Sequence, residues 1–160
     1  MGVQGSGKST IGTMLAAKLG VTFIDGDSLH PSENVAKMAA GIPLDDDDRM
    51  PWLGEIGRVL AAGREGGIVV ACSALKRKYR DLLRESAPDL FIVDQEGPIG
   101  LVAARIRGRR HEFMPPALLR SQYATLEPRA QDESGITVDI SREPAAIIES
   151  VASALGVGPH

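Results

Sequence analysis

The feature that most constrains the fold lies at the start of the chain, where eight residues fit the pattern G-x-x-x-x-G-K-[ST]. They read Gly2-Val3-Gln4-Gly5-Ser6-Gly7-Lys8-Ser9. Glycines at this spacing let the backbone wrap around a phosphate with its N–H groups turned inward, and a following helix adds the positive end of its dipole. The motif predicts that Lys8 contacts the β- and γ-phosphates of ATP and that Ser9 ligates Mg²⁺. The residues predicted to contact the nucleotide are Gly2, Gln4, Gly5, Ser6, Gly7, Lys8, Ser9 and Thr10.

Short apolar runs alternate with amphipathic stretches along the rest of the chain. The runs at 21–24, 68–71, 90–93 and 136–138 predict buried strands. Apolar residues at helical spacing predict helices over 7–19, 32–40 and 50–62, and further helices around Leu82, Val102, Tyr123 and Ile148. Strands that alternate with helices indicate an α/β fold with three layers and a parallel sheet.

One strand of that expected fold is missing from the sequence. A phosphate-binding loop of this type normally follows a core strand, yet only Met1 precedes Gly2. We therefore expect a sheet of nominally five strands in which the first is absent from this chain. Two explanations stay open: a natural start upstream of Met1, which we favour, and a true truncation.

Composition excludes several classes of protein. The 18 Lys and Arg residues against 21 Asp and Glu residues give a formal net charge of −3, which argues against a nucleic-acid or membrane-surface binder. The single cysteine excludes a disulfide framework and fits a reducing cytoplasm. No apolar run is long enough to cross a membrane.

Two carboxylates follow the first predicted strand, in the segment Asp25-Gly26-Asp27. Ligands of open α/β sheets bind at the carboxyl ends of the strands, where these residues lie. Beside a phosphate-binding loop we expect Asp25 to help hold Mg²⁺ with Ser9, and Asp27 to accept the proton of an attacking hydroxyl. The alternative is a turn in which the aspartates cap a helix.

Several basic side chains are candidates for contacts with an anionic, hydroxylated substrate. Arg49 follows the four acids 45–48, which we interpret as helix-capping residues, and it could clamp a carboxylate or pair with those acids. Lys76 follows another strand, and His30 follows the DGD segment. Alternatively, Lys76 is a solvated charge on a helix, and His30 has a structural role.

A second basic cluster ends a predicted helix, at Arg105, Arg107, Arg109 and Arg110, with His111 after it. Arginines near a helix C-terminus are favourable for electrostatic reasons alone, but four in six residues exceed what capping needs. We expect Arg105 and Arg109 to lie on a mobile flap and to neutralise charge during phosphoryl transfer. We expect His111 to contact the substrate.

The chain resembles the gluconate kinases, a family of P-loop small-molecule kinases. The stretches that carry the resemblance are GSGKST at 5–10, FIDGDSLHP at 23–31, NVAKMAAGIPLDDDDR at 34–49 with PWL at 51–53, VVACSALKRKYRD at 69–81, and HEFMPPALLRSQYATLEP at 111–128. The first is generic to many nucleotide-binding proteins, whereas 34–53, 69–81 and 111–128 are much more specific.

The resemblance implies transfer of phosphate from ATP to the 6-hydroxyl of D-gluconate. It also implies one P-loop kinase domain over 1–160, a helical lid at about 105–128, and a homodimer. Glu112 departs from the family pattern, which has a shorter spacing between the histidine and the phenylalanine that stand here as His111 and Phe113. One alternative is a related kinase acting on shikimate or adenylylsulfate, which is not expected to share SALKRKYRD at 73–81 or FMPPALL at 113–119. The other is an inactive truncated nucleotide-binding homologue.

Overall fold

A computed structural model describes residues 1–108 and 116–157, and it confirms an α/β fold with parallel strands. The strands are β1 (Thr22–Asp25), β2 (Ile68–Ala71), β3 (Ile92–Glu96) and β4 (Gly135–Asp139). The helices are α1 (Lys8–Leu19), α2 (Ser32–Ala39), α3 (Asp46–Ala62), α4 (Arg77–Ser86), α5 (Ile99–Arg107), α6 (Pro116–Thr125) and α7 (Pro144–Ala154), with a 3₁₀ turn at Gly26–Leu29.

The strands form two parallel pairs. Strand β1 pairs with β2 from Thr22 opposite Ile68, and β3 pairs with β4 from Ile92 opposite Gly135. Met1 and Gly2 bridge the two pairs: the Met1 amino group donates to Val93 O at 2.6 Å and Gly2 N donates to Ser73 O at 3.2 Å. Within the described residues no strand lies between β2 and β3, where the sequence predicts a missing one.

A gap therefore separates the two strand pairs. This gap, which we call the central cleft, has a volume of about 320 Å³. Apolar side chains of α1, β2 and β3 dominate its walls, including Ile11, Val70 and Val93, and the thiol of Cys72 also lines it. The edges of β2 and β3 face each other across it.

Helices cover both faces of the strands. On β2, Ile68 and Val70 pack against the cluster formed by α3 and α4, whereas Val69 packs against the cluster formed by α1 and α7. Because alternate residues of a strand point to opposite faces, this pattern gives the three layers that the sequence predicts.

Two elements, α3 and β3, differ from the sequence prediction by more than one residue. Helix α3 begins at Asp46 rather than at residue 50, because Asp45 and Asp48 form a reciprocal capping box. The third strand spans Ile92–Glu96 rather than 90–93. Its polar residues continue the pairing with β4, in which Asp94 lies opposite Thr137 and Gln95 opposite Val138. Asp94, 0% exposed, accepts from Arg129 N at 3.0 Å through Oδ2.

No helix within residues 1–108 and 116–157 has the length and apolarity needed to cross a membrane.

Candidate active site

The glycine-rich loop has the conformation that its motif predicts. Gly5 and Gly7 have positive φ angles of 83° and 99°, and α1 begins directly after them. A Cβ at Gly5 would lie 2.7 Å from Ile106 Cγ1, so a larger residue would also clash with α5. The Lys8 ammonium donates to Gly2 O and Val3 O at 3.0 Å each, which holds this side chain against the loop.

Ser9 and Asp25 lie together at the edge of the loop. Ser9 Oγ donates to Asp25 Oδ2 at 3.1 Å, and the second oxygen, Oδ1, accepts from Asp27 N at 3.0 Å. A hydroxyl and a carboxylate are the hard oxygen donors that Mg²⁺ prefers. Among the described residues no group of three or more His, Cys, Asp or Glu could hold a metal by itself. This partial set fits a Mg²⁺ ion that shares its other positions with phosphates and water.

A small cavity opens beside the loop and brings five of the predicted residues together, one of which is Gln4 of the loop. Lys8, Asp27, His30 and Arg49 all line it. Its volume is about 60 Å³, room for about two water molecules at about 30 Å³ each. A phosphate-contacting lysine, a carboxylate, an imidazole and a guanidinium thus face the same space.

The imidazole of His30 is neutral and has a defined tautomer. Its ring stacks on Trp52 with centroids 4.0 Å apart, and burial, aided by the nearby Arg49 charge, lowers its pKa to about 4. Asn34 Nδ2 lies 3.2 Å from His30 Nδ1 and donates to Asp48 O at 2.8 Å, which identifies that atom as the amide nitrogen. Nδ1 is therefore the acceptor, and Nε2 carries the proton.

Arg49 is oriented by Tyr79 rather than by the neighbouring acids. Its Nη1 donates to Tyr79 Oη at 3.0 Å, and its guanidinium carbon lies 5.5 Å from the centre of that ring. In the described part of the chain, Arg49 forms no ion pair with the acids at 45–48. This arrangement leaves the guanidinium at the cavity wall.

The structure places Lys76 differently from the other predicted residues. It is absent from the residues that line the cavity, and its ammonium donates to Asp46 Oδ1 at 3.1 Å. Asp46 also accepts from Lys78 and Tyr79, and these hydrogen bonds hold its pKa well below the usual range. A substrate contact by Lys76 stays a prediction, and it would require this ion pair to break.

The basic cluster is described only in part. Arg105 is half-buried, and its Nη2 donates to Ile140 O at 2.6 Å, which joins α5 to the end of β4. Arg109 and His111 lie outside the described residues, so their predicted roles stay predictions.

Sequence reasoning missed three polar residues of the cavity: Ser73, Ser121 and Gln122. Gln122 Oε1 accepts from Gln4 N at 2.7 Å, joining α6 to the loop across 118 positions of sequence. The stretch 111–128 carried the family resemblance, but nothing in its spacing indicates which of its residues faces the site.

Known proteins resemble this chain over most of its length. The family model described as shikimate kinase matches residues 4–155. The thermosensitive gluconokinase of Escherichia coli K12 is 43% identical over 159 residues, which cover 97% of this chain and 84% of that protein.

Two solved structures are also similar to this chain. The crystal structure of a gluconokinase from Sinorhizobium meliloti 1021 is 46% identical with a TM-score of 0.88, covering 98% of this chain and 89% of that chain. That of a sugar kinase from Janibacter sp. HTCC2649 is 42% identical with a TM-score of 0.93, covering 99% and 93%. These likenesses show that the chain belongs to the gluconokinase family of P-loop kinases, which the shikimate kinase family model also matches in this chain.

Proposed function

We propose that this chain transfers the γ-phosphoryl group of ATP to the 6-hydroxyl of D-gluconate. The observation that carries the proposal is the cavity in which Lys8, Asp27, His30 and Arg49 meet. A sugar acid offers a carboxylate and several hydroxyls, and this wall offers a guanidinium for the first and an imidazole N–H for the second. The relatives named gluconokinases support the same substrate.

The phosphates of ATP would lie in the glycine-rich loop. Backbone N–H groups of the loop and of the start of α1 would bind them, except those of Gln4 and Ser6, which donate to Gln122 Oε1 and Val3 O. The Lys8 ammonium would exchange its bonds to Gly2 O and Val3 O for phosphate oxygens. Ser9 and Asp25 would hold Mg²⁺, directly or through water. When bound, the ion neutralises charge on the β- and γ-phosphate oxygens.

Asp27 would act on the acceptor hydroxyl. Its carboxylate takes the hydroxyl proton as the new oxygen–phosphorus bond forms and the bond from the γ-phosphorus to the bridging oxygen breaks, which releases ADP. His30 can donate from Nε2 to a substrate hydroxyl, since its imidazole is neutral above about pH 4. Arg49, held by Tyr79, can bind the substrate carboxylate through two parallel hydrogen bonds.

The region 105–128 would form a lid within a single domain 1–160, and Arg105 and Arg109 would neutralise charge as the lid closes. We also propose a homodimer in the cytoplasm, with no nucleic-acid or membrane partner. The buried free thiol of Cys72 suits a reducing compartment.

The test is ADP release from Mg-ATP by the purified chain, with D-gluconate, shikimate or no acceptor. We expect turnover with gluconate only. Shikimate is the second candidate because the matching family model carries its name. Turnover with shikimate alone would overturn the gluconate assignment.

Two variants test the assigned roles. Lys8→Ala should abolish turnover, and Asp27→Asn should lower kcat by about 10²–10⁴-fold, the usual contribution of a positioned base. The matched controls are Lys18→Ala and Asp89→Asn, each from a surface ion pair far from the cavity. Wild-type rates from either site variant would remove that residue from the mechanism.

A further inference from the structure

Gln122 connects the glycine-rich loop to α6, and the mechanism above gives it no role. Its side chain is half-buried and lines the cavity that holds Asp27 and Arg49. Its Oε1 accepts the backbone N–H of Gln4 at 2.7 Å. This contact fixes the position of the amide group relative to the loop.

The same contact also determines which way the amide faces. A backbone N–H can only donate, so the amide atom that faces Gln4 N must be the oxygen. The Gln122 Nε2, with its two N–H donors, therefore projects away from the loop. Within residues 1–108 and 116–157, no hydrogen bond from Nε2 is found.

The cavity wall around this amide has charged groups in one part and uncharged polar groups in another. Arg49 matches a carboxylate, and Lys8 lies against the glycine-rich loop. Ser121 lies one position before Gln122 on α6, and Ser73 follows β2. These uncharged groups are suited to the hydroxyls between the two ends of an extended sugar acid.

We propose that Gln122 is a specificity-determining residue that recognises the configuration of the acceptor's secondary hydroxyls through its Nε2 donors. This inference rests on the proposed function, because it takes a polyhydroxy acid as the acceptor. A donor held at a fixed position discriminates strongly, because a substrate with the inverted hydroxyl leaves a desolvated polar group unpaired.

The experiment compares selectivity rather than activity. We would measure kcat/KM for D-gluconate and for aldonates inverted at one carbon, namely D-mannonate, D-allonate and D-galactonate. Gln122→Glu is the decisive variant, since its carboxylate can still accept from Gln4 N but has no N–H donors. Gln122→Met, of similar length, removes both functions, and Gln131→Met on the exposed loop is the matched control.

We expect both Gln122 variants to reduce the preference for gluconate over at least one epimer by about 10-fold or more, the usual effect of losing a hydrogen bond to substrate. The control should keep the wild-type ratios. Unchanged ratios in Gln122→Glu, or an equal loss on every acceptor, would mean that the residue only supports the loop, and would overturn the proposal. Failure of the proposed function is distinguishable, because wild-type protein would then not phosphorylate gluconate.

Discussion

Two interior regions of this protein differ in how completely their groups are partnered. One is the ionic cluster formed by Arg80, Arg84 and Glu133, between α4 and the loop that precedes β4. The other is the central cleft between β2 and β3. The first contains buried charges, which are costly to desolvate, and the second is lined mainly by apolar groups, which are normally easy to bury.

In the ionic cluster nearly every polar atom is paired. The side chains of Arg80 and Glu133 are 0% exposed and 2.7 Å apart at their nearest atoms. Glu133 also accepts from Arg84 Nη2 at 2.9 Å and Ala130 N at 2.8 Å, and Arg80 Nη1 donates to Ala74 O at 2.9 Å. Burial alone would raise the pKa of the Glu133 carboxyl, but these hydrogen bonds outweigh it and lower the pKa to about 2.

The central cleft has the opposite character. Its apolar walls lack close neighbours over about 320 Å³, and Met1 and Gly2 bridge the two strand pairs through bonds to Val93 O and Ser73 O. Burial, with a contribution from the Lys8 charge, lowers the pKa of the Met1 amino group to about 6. The comparison shows that completeness of partners, rather than the polarity of the residues, decides how well a buried region is stabilised.

The largest expected effect comes from filling the cleft. A five-residue extension rich in Val and Ile, placed before Met1, should pair with both edges and raise the melting temperature by about 10 °C. Each buried Val or Ile contributes about 1.5–3 kcal/mol against an ordering cost of about 1–2 kcal/mol per residue, and a chain this size gains about 2–4 °C per kcal/mol. A Gly-Ser extension of equal length is the control, and equal melting temperatures would refute the expectation.

Removing one partner from the ionic cluster should have the next largest effect. Glu133→Gln leaves the buried Arg80 uncompensated, which should lower the free energy of unfolding by about 3 kcal/mol in urea titrations. Glu149→Gln, from a surface pair with Lys18, should cost less than about 1 kcal/mol. If the two variants lose equal stability, the cluster is not the stabilising feature inferred here.

The two regions should respond to different ranges of pH. The folded pKa of the Met1 amine is lowered from 8 to about 6, so the unfolded chain binds this proton first as the pH falls. The free energy of unfolding should therefore decrease as the pH falls from 8 to about 6. Glu133 stabilises the fold above pH 4.5, and this contribution should be lost as the pH falls towards about 2. Urea midpoints measured across this range should show both steps. The first should disappear in the apolar extension variant and the second in Glu133→Gln.

The smallest effect concerns the thiol in the cleft. Burial raises the pKa of Cys72 to about 11, so little thiolate exists near neutral pH. We expect slow reaction with a thiol reagent in the native protein, a slower one in the apolar extension variant, and fast reaction after unfolding. Equal rates with and without the extension would indicate that the added residues do not enter the cleft.

Features that depend on nearby residues could be predicted from sequence. Gly5 and Gly7, which have positive φ angles, lie within the glycine-rich motif, and the strand–helix alternation follows from local periodicity. The convergence of Asp27 and Arg49 on one cavity followed less directly, from the position of each residue after or before a predicted element.

Contacts between distant segments were decided by the tertiary structure alone. Glu133 follows polar residues in the sequence, yet it is buried beside its partner Arg80, 53 positions away. Burial, aided by the Arg49 charge, lowers the pKa of the His30 imidazole, and the bond from Gln4 to Gln122 sets the direction of an amide. Sequence determined the local conformations and the motif chemistry of this protein. Only folding determined which polar groups became buried and paired, because burial depends on partners that have no fixed spacing along the chain.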